Sequence, residues 1–496
     1  MTNSRRRFLW TAFASLVVIA GTAIAINFAK GYRFSRDSIV AGNGLLVVNS
    51  DPKGARVLVN DRFLTATDDT LYLDPGEYQV EIQKDGYFPW KKDVVVEQEV
   101  VTQANALLFP TAPGLAPITL SGASQPAPSP DGQKLAYYTA SSSAQTKNGY
   151  YVLELVDNPL AFQRGPRQVS RSSDLFPPEE TQMIWSPDST QILLVSPRKA
   201  VLIDPSRLNE VDEQTDISFQ LSTIFSQWEE EMYQRDRERL VKFPLEIQRV
   251  ATASAVNVYF SPDEKRLMYT ATDEFDLPAN LLPAKPGSNN QPESRQTKIG
   301  NIYIYDRDED KQFWLGEDTQ YLSWTQQGGE LPSMQLPINS EASEANDQTN
   351  NAQLNQPSQP ESDQAEESAT AFNPQKQLLS SDLFRSQPLN LKASPSAFTR
   401  LQRDDIDETI LNFRTYHSPL YTHRYQWFPN SWHILYHDDT SLTLREYDGT
   451  NIVRVFSGPF DTGFVYPWPN GSRLIIRTNL NQGNDVPINL YTINLK

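Results

Sequence analysis

The sequence predicts an all-β protein: an N-terminal transmembrane helix, a small β-sandwich, then a β-propeller of about six to seven blades. Three observations predict it. Uncharged, mostly apolar residues fill positions 8–29, directly behind three arginines. Short β-branched and aromatic runs separated by Pro, Gly, Asn and Asp fill positions 43–110. Over residues 111–496 a Pro-Asp or Pro-Asn turn recurs, and each copy leads straight into an apolar strand.

The helix comes first. Its 22 uncharged residues, 8–29, are long enough to cross a bilayer. Arg5, Arg6 and Arg7 place the N-terminus in the cytoplasm and the bulk of the chain outside it. Residues 1–37 are therefore expected to form a cytoplasmic tip and a single-pass anchor. A cleaved secretory signal competes with this reading, with Ala23-Ile24-Ala25 as its nearest cleavage site, and so does a twin-arginine export signal at Ser4-Arg5-Arg6-Arg7-Phe8-Leu9.

In the second element, strands are expected over 44–49, 55–60, 77–83, 93–96 and 101–108. The turns between them read Ser50-Asp51-Pro52-Lys53-Gly54-Ala55, Asn60-Asp61, Asp74-Pro75-Gly76-Glu77-Tyr78 and Lys84-Asp85-Gly86-Tyr87. Each puts Pro, Gly, Asn or Asp where a turn demands special φ. Residues 43–110 resemble the PEGA domain, a small β-sandwich common on bacterial surface proteins. Pro52-Lys53-Gly54-Ala55 stands where that family's namesake tetrapeptide lies, and Pro75-Gly76-x-Tyr78 and Gly86-Tyr87 match its other recurrent marks. The usual Gly-x-Thr-Pro segment is missing; only Thr65-Ala66-Thr67 stands there. The resemblance implies an envelope setting and implies no catalysis.

The third element rests on the recurring cassette. Its turn residues are Pro130 and Asp131, Pro187 and Asp188, Pro262 and Asp263, Pro429 and Asn430, and Pro469 and Asn470. Pro fixes φ, and Asp or Asn bonds its own backbone or tolerates a left-handed conformation. Five residues after Pro stands Leu135, Ile192, Leu267, Ile434 or Leu474, and seven after stands Tyr137, Leu194, Tyr269, Tyr436 or Ile476. Those two positions share one face of a strand. The aromatic before the turn, Trp185, Phe260 or Trp427, is placed to pack between neighbouring sheets. A degenerate copy keeps Trp324 and Leu331 but lacks the Pro and Asp. Further strands are expected over 150–156, 200–204, 301–306, 440–447, 473–478 and 488–494, with a hairpin at Asp448-Gly449. Residues 118–120 precede the first cassette and are placed to complete the last sheet, which removes an exposed edge. The cassettes resemble those of TolB-like and other WD-repeat-like bacterial propellers. A β-sandwich with Ser-Pro-Asp turns is the competing architecture.

Insertions interrupt this pattern. Residues 222–243 read as a helix on a propeller face: Ser226-x-x-Glu229 looks like a capping box, Glu231 and Arg235 pair one turn apart, Ile224, Phe225, Trp228 and Met232 form an apolar edge, and Pro244 ends the run. Residues 283–296 and 335–376 are expected to be disordered, the latter with seven acidic and no basic residues between Glu341 and Glu367.

Composition limits the chemistry. Formal charge is −17, with no basic tract beyond the N-terminus, which argues against nucleic acid as partner. The chain has no cysteine, so disulfides, thiol catalysis and Cys-ligated metal are excluded. All four histidines, His417, His423, His433 and His437, fall within 21 residues. His433 and His437, four apart on a strand, lie about 13 Å from each other, too far to share one ion. Asp306-x-Asp308-x-Asp310 mimics a calcium loop, but Lys311 stands where Gly is needed, so a charged hairpin is expected. No nucleophile elbow, phosphate loop or dinucleotide fingerprint occurs. The expectation is a membrane-anchored extracytoplasmic binding or scaffold protein of the cell envelope, without cofactor, metal or catalytic residues. It would recognise a protein, peptide or glycan through propeller loops. A glycan-active enzyme with its site in the propeller funnel, or a TolB-like assembly or sensory factor, are the alternatives.

Overall fold

The computed structural model describes residues 2–29, 43–140, 142–156, 165–283, 285–326, 424–480 and 487–496. Helix α1 (Thr2–Ala29) opens the chain, with Trp10, Phe13, Leu16, Val18 and Ile19 exposed. Among the described residues no helix is long and apolar enough to cross a membrane. The span expected over 8–29 therefore reaches, in the structure, only as far as a continuous helix.

The sandwich has seven strands. They are β1 (Gly44–Asp51), β2 (Arg56–Val59), β3 (Arg62–Ala66), β4 (Asp69–Leu73), β5 (Gly76–Gln83), β6 (Trp90–Val96) and β7 (Val101–Leu107). They form two sheets, β4-β1-β7 and β3-β2-β5-β6, closed over Leu46, Val48, Val57, Val80, Ile82, Val94 and Ala104. Strands β3 and β4 were not expected. Both are edge strands whose Phe63, Leu64 and Tyr72 stay exposed; β3 has no buried alternation, and in β4 only Leu71 and Leu73 turn partly inward, too short a pattern to mark a strand in the sequence. They replace the missing Gly-x-Thr-Pro segment. Thr67 closes the corner: its hydroxyl accepts from the Ala55 amide at 3.0 Å and meets the Ser50 hydroxyl at 2.6 Å.

Five antiparallel sheets follow among the described residues. Blade one comprises Ser124–Pro128, Lys134–Thr139, Gly149–Glu154 and Arg167–Arg171. Blade two comprises Gln182–Trp185, Ile192–Val195 and Ala200–Ile203. Blade three comprises Ala255–Phe260, Arg266–Ala271, Asn301–Asp306 and Lys311–Glu317. Blade four comprises Tyr425–Trp427, His433–His437, Ser441–Glu446 and Val453–Ser457. Blade five comprises Val465–Pro467, Arg473–Thr478 and Asn489–Asn494, and its outer strand is Leu115–Pro117 from before blade one. The closing strand thus lies three residues upstream of 118–120, although the Ile118 and Thr119 amides both still donate to Leu490 O.

Apolar faces order the ring. Tyr150 and Val152 of blade one meet Met183 and Ile192 of blade two. Met268, Ile304 and Phe313 of blade three meet Trp427 and Ile434 of blade four. Leu435 and Leu444 of blade four meet Val465 and Ile476 of blade five, and Ile475 and Leu490 of blade five meet Leu135 and Tyr137 of blade one. Between blades two and three stand helices α2 (Leu221–Leu240) and α3 (Leu245–Ala253). Leu221, Phe225 and Trp228 cover Ile184, Leu193 and Val195 of blade two. Leu240, Phe243 and Ile247 cover Leu267 and Tyr305 of blade three.

The ring therefore closes, among the described residues, with five sheets and a helical wedge where six to seven blades were expected. Helix α2 does not lie on a propeller face. It fills a gap between blades: its apolar edge covers blade two, and its last residue Leu240, with Phe243 and Ile247, covers blade three. Ser226 and Glu229 sit inside α2, whose N-cap is Gln220, so they form no capping box. The Glu231–Arg235 pair does form, at 2.8 Å. The described part of the degenerate cassette is helical: Trp324 lies on helix α4 (Thr319–Gln326). Blades three and four, on either side of it in sequence, are neighbours, and the Trp427 indole donates to Tyr259 O at 3.2 Å. Residues 335–376, Leu331, His417 and His423 lie outside the described residues.

Candidate functional site

Each cassette turn sits between the first and second strands of a blade. In three copies a serine organises it. Ser129, Ser186 and Ser261 donate to Asp131, Asp188 and Asp263, and their hydroxyls accept the amides of Lys134, Gln191 and Arg266 at 2.9 Å. The Ser186 hydroxyl, with the Thr190 amide, holds the Asp188 carboxyl below the usual range against burial. Asn430 accepts the Trp432 and His433 amides instead, and Asn470 accepts the Ser472 amide. The left-handed residue falls one position later than expected, at Gly132, Ser189, Glu264, Ser431 and Gly471, with φ between 57° and 72°. That position also links blades. The Ser189 hydroxyl accepts the Asp131 amide at 3.0 Å, and the Ser431 hydroxyl accepts the Asp263 amide at 2.9 Å. Between blades two and three the wedge takes over: Arg235 donates to Pro187 O, while Arg239 and Lys242 pair with Glu264. The cassette residues are ring construction.

The two other constellations resolve as architecture. His433 packs edge-on against Phe109, with ring centroids 5.4 Å apart, and His437 meets Phe460 at the other end of the strand. The Asp306 run is a hairpin in which Asp306 faces Arg266, Asp308 pairs with Lys265 and Asp310 accepts the Tyr305 hydroxyl. Among the described residues no group of His, Asp and Glu is placed to hold a metal.

What the sequence did not reveal is a buried polar seam where the sandwich meets blades three, four and five. Lys92 on β6 enters it and places its ammonium 2.7 Å from Glu446 and 2.5 Å from Asp448. Trp90 donates its indole N–H to the same Glu446, and the Lys91 amide donates to Asn451 Oδ1 at 2.8 Å. Asn289 donates to Asp448 Oδ2 at 2.7 Å, and Thr450 donates to Asp448 Oδ1 at 2.6 Å. Burial works to depress the Lys92 ammonium, but the flanking Glu446 and Asp448 outweigh it and hold its pKa above the ordinary value. Burial alone would raise Asp448, and Lys92 more than reverses this.

Beside the seam, Arg266 lies between the rings of Trp432 and Tyr447, 4.2 and 4.1 Å from their centroids, with Nε 2.7 Å from Asp306 Oδ2. That pair is a charge contact without hydrogen-bond alignment, and burial pushes the Asp306 carboxyl up against the pull of Arg266. Phe88, Leu107 and Phe109 complete the seam against Phe428, Leu435 and Leu495. Residues 283–296 belong to it as well, apart from residue 284, which is not described. Expected to be disordered, this loop runs along the edge of blade three. The Ser294 amide donates to Gln312 O, Lys311 donates to Asn289 O, and Gln291 donates to Asp93 O on β6. Gly287 comes so close to β7 that a Cβ would lie 2.8 Å from Val101 O. Polar composition misled here because the loop is ordered by hydrogen bonds to two domains rather than by a core of its own.

The sandwich matches a known family: residues 43–111 fit the model of the PEGA domain. The N-terminal sandwich is a PEGA domain. No curated protein matches the chain. Among solved structures, TolB from Agrobacterium tumefaciens is 10% identical, with 78% of this chain and 79% of that chain covered at a TM-score of 0.20. TolB from Acinetobacter baumannii is 10% identical over 84% of this chain and 59% of that one, at 0.19. An oligogalacturonate lyase from Vibrio parahaemolyticus is 8% identical over 92% and 99%, also at 0.20. Likenesses this loose carry nothing beyond the sheet-rich architecture that the geometry displays. The PEGA domain is seated on the cassette end of blade four, through Phe109, His433 and the hairpin at Asp448.

Proposed function

We propose that the chain is a membrane-anchored, extracytoplasmic binding or scaffold protein of the cell envelope, and not an enzyme. The observation that carries this reading is the seam: a PEGA domain held on a propeller by Lys92, Trp90 and the loop at Asn289. A domain of envelope proteins fixed in this way holds the propeller at a set angle. The loops at the ends of the blades away from the seam then point outward, where partner recognition is concentrated on such scaffolds. Arg5, Arg6 and Arg7 before the apolar positions of α1 support an anchor with the N-terminus in the cytoplasm. The experiment is a pull-down with residues 38–496 against solubilised envelope proteins and cell-wall glycans. Saturable retention of one envelope component supports the reading. Turnover of an added envelope glycan by the same protein would replace it with the enzymatic alternative.

A further inference from the structure

Arg445 is the cation in this structure with the least reason to be where it is. It projects from blade four toward blade three, its guanidinium 5.1 Å from the centroid of the Tyr425 ring. Its Nε and Nη2 atoms are buried and, among the described residues, lie beside the Tyr425 phenol without an aligned hydrogen bond. Arg266, in the same gap between blades, has Asp306; among the described residues the groups that act on Arg445 are tyrosines, Tyr425 and Tyr436. Burial lowers its pKa, and only those phenols oppose the effect. A half-buried charge with no counter-charge among the described residues is costly, and buried unsatisfied donors of this kind call for a partner such as a bound ion.

The surroundings fit an incoming group. The Tyr425 and Tyr436 rings pack at a tilt of 43°, with centroids 4.7 Å apart, and, like Arg445 itself, remain partly exposed. Gly316 of blade three faces them: a Cβ there would lie 2.9 Å from the Tyr425 hydroxyl and 3.7 Å from Arg445 Nη2, so glycine lets the phenol and the guanidinium reach the edge of blade three. A guanidinium presents a planar fork of donors suited to an oxyanion, and a phenol adds one more donor. We propose that Arg445 and Tyr425, with Gly316 beside them, form a site for one oxyanion group, a carboxylate or a phosphate, borne by a ligand of the propeller. The site deepens the recognition reading by naming a ligand chemistry. It is independent of the anchor and of the PEGA seam.

The test is thermal unfolding of the full chain in detergent with sodium phosphate, acetate or chloride at matched ionic strength, for wild type, Arg445→Met and Tyr425→Phe. Phosphate or acetate should raise the wild-type melting temperature above that in chloride, by ~2 °C or more at concentrations well above the dissociation constant. Arg445→Met should lose that increment while melting no lower than wild type in chloride, because it removes an unpaired buried charge. Tyr425→Phe should fold and show a reduced increment. Equal increments in wild type and Arg445→Met would mean a bulk salt effect and overturn the site, as would no increment in wild type. A pull-down that succeeds while this experiment fails would leave the recognition reading standing and remove Arg445 from it.

Discussion

Lys92 is the most demanding test of the seam. Its side chain is 14% exposed, and its partners Glu446 and Asp448 are 7% and 0% exposed. Replacing it with Met keeps the apolar stem and deletes the ammonium, which strands two buried carboxylates. Breaking a buried ion pair from one side costs about 3–5 kcal/mol. At roughly 2 °C per kcal/mol for a body of this size, calorimetry at pH 7 should show a melting temperature lower by roughly 6–10 °C. Hydrogen exchange should rise along β6 and along Ser441–Glu446 before it rises in blade one.

The pH dependence should also reverse. In the wild type Asp448 is held below its ordinary value, so its contribution is present above the unfolded carboxylate pKa, about 4, and is lost as pH falls through the lower folded value. Lys92 is held above its ordinary value, so its contribution is complete below the unfolded pKa, about 10, and is lost as pH rises through the folded value. The Asp448–Lys92 contribution in the wild type should therefore change little between pH 7 and pH 5. In Lys92→Met only the hydrogen bonds from Thr450 and Asn289 still offset the burial of Asp448, whose folded pKa should rise above its unfolded value. That cost is relieved as the carboxyl takes a proton, so the variant should gain stability on acidification over the same interval. A loss below about 1 kcal/mol, or an unchanged pH profile, would show that the seam is wet and that Lys92 does not hold the two domains together.

Three further outcomes follow from the same geometry. Phe225→Ala empties a 1%-exposed site in the wedge and should cost about 3–5 kcal/mol by urea denaturation; a cost below 1 kcal/mol would mean the wedge is not packed between the blades. Ser431→Ala removes the acceptor of the Asp263 amide and should cost about 1 kcal/mol, with faster exchange at that amide; unchanged exchange would remove the inter-blade link. Deleting residues 1–30 should move the chain from the membrane to the soluble fraction, and membrane retention of that variant would defeat the single-anchor proposal.

The cassette was legible because its chemistry is local. Ser129, Asp131 and Lys134 bond within five residues, so residue type alone dictates the turn. The wedge was legible as a helix and misplaced in space. The apolar edge formed by Ile224, Phe225, Trp228 and Met232 says that α2 packs, and only the ring says that it packs between two sheets. Among the described residues the count stands at five sheets for a related reason: Trp324 carries the cassette's aromatic without its turn, and the turn is what commits a segment to the next strand. The seam was illegible because Lys92 sits in Lys91-Lys92-Asp93, which reads as a solvated run, while Glu446 and Asp448 flank an ordinary hairpin 354 or more residues away.

Sequence patterning explains apolar residues by burial and polar residues by solvent, so it has no entry for a polar residue that is buried. Such residues cluster here where this protein departs from a bare repeat of blades: at Lys92, which reaches from the PEGA domain into blade four, at Arg266 between Trp432 and Tyr447, and at Arg445 between blades three and four. The first two have their counter-charges inside the chain and so account for themselves as construction. Arg445 does not, and the difference between it and Arg266, two guanidiniums in the same gap between blades, is what turns a structural observation into a question about a ligand.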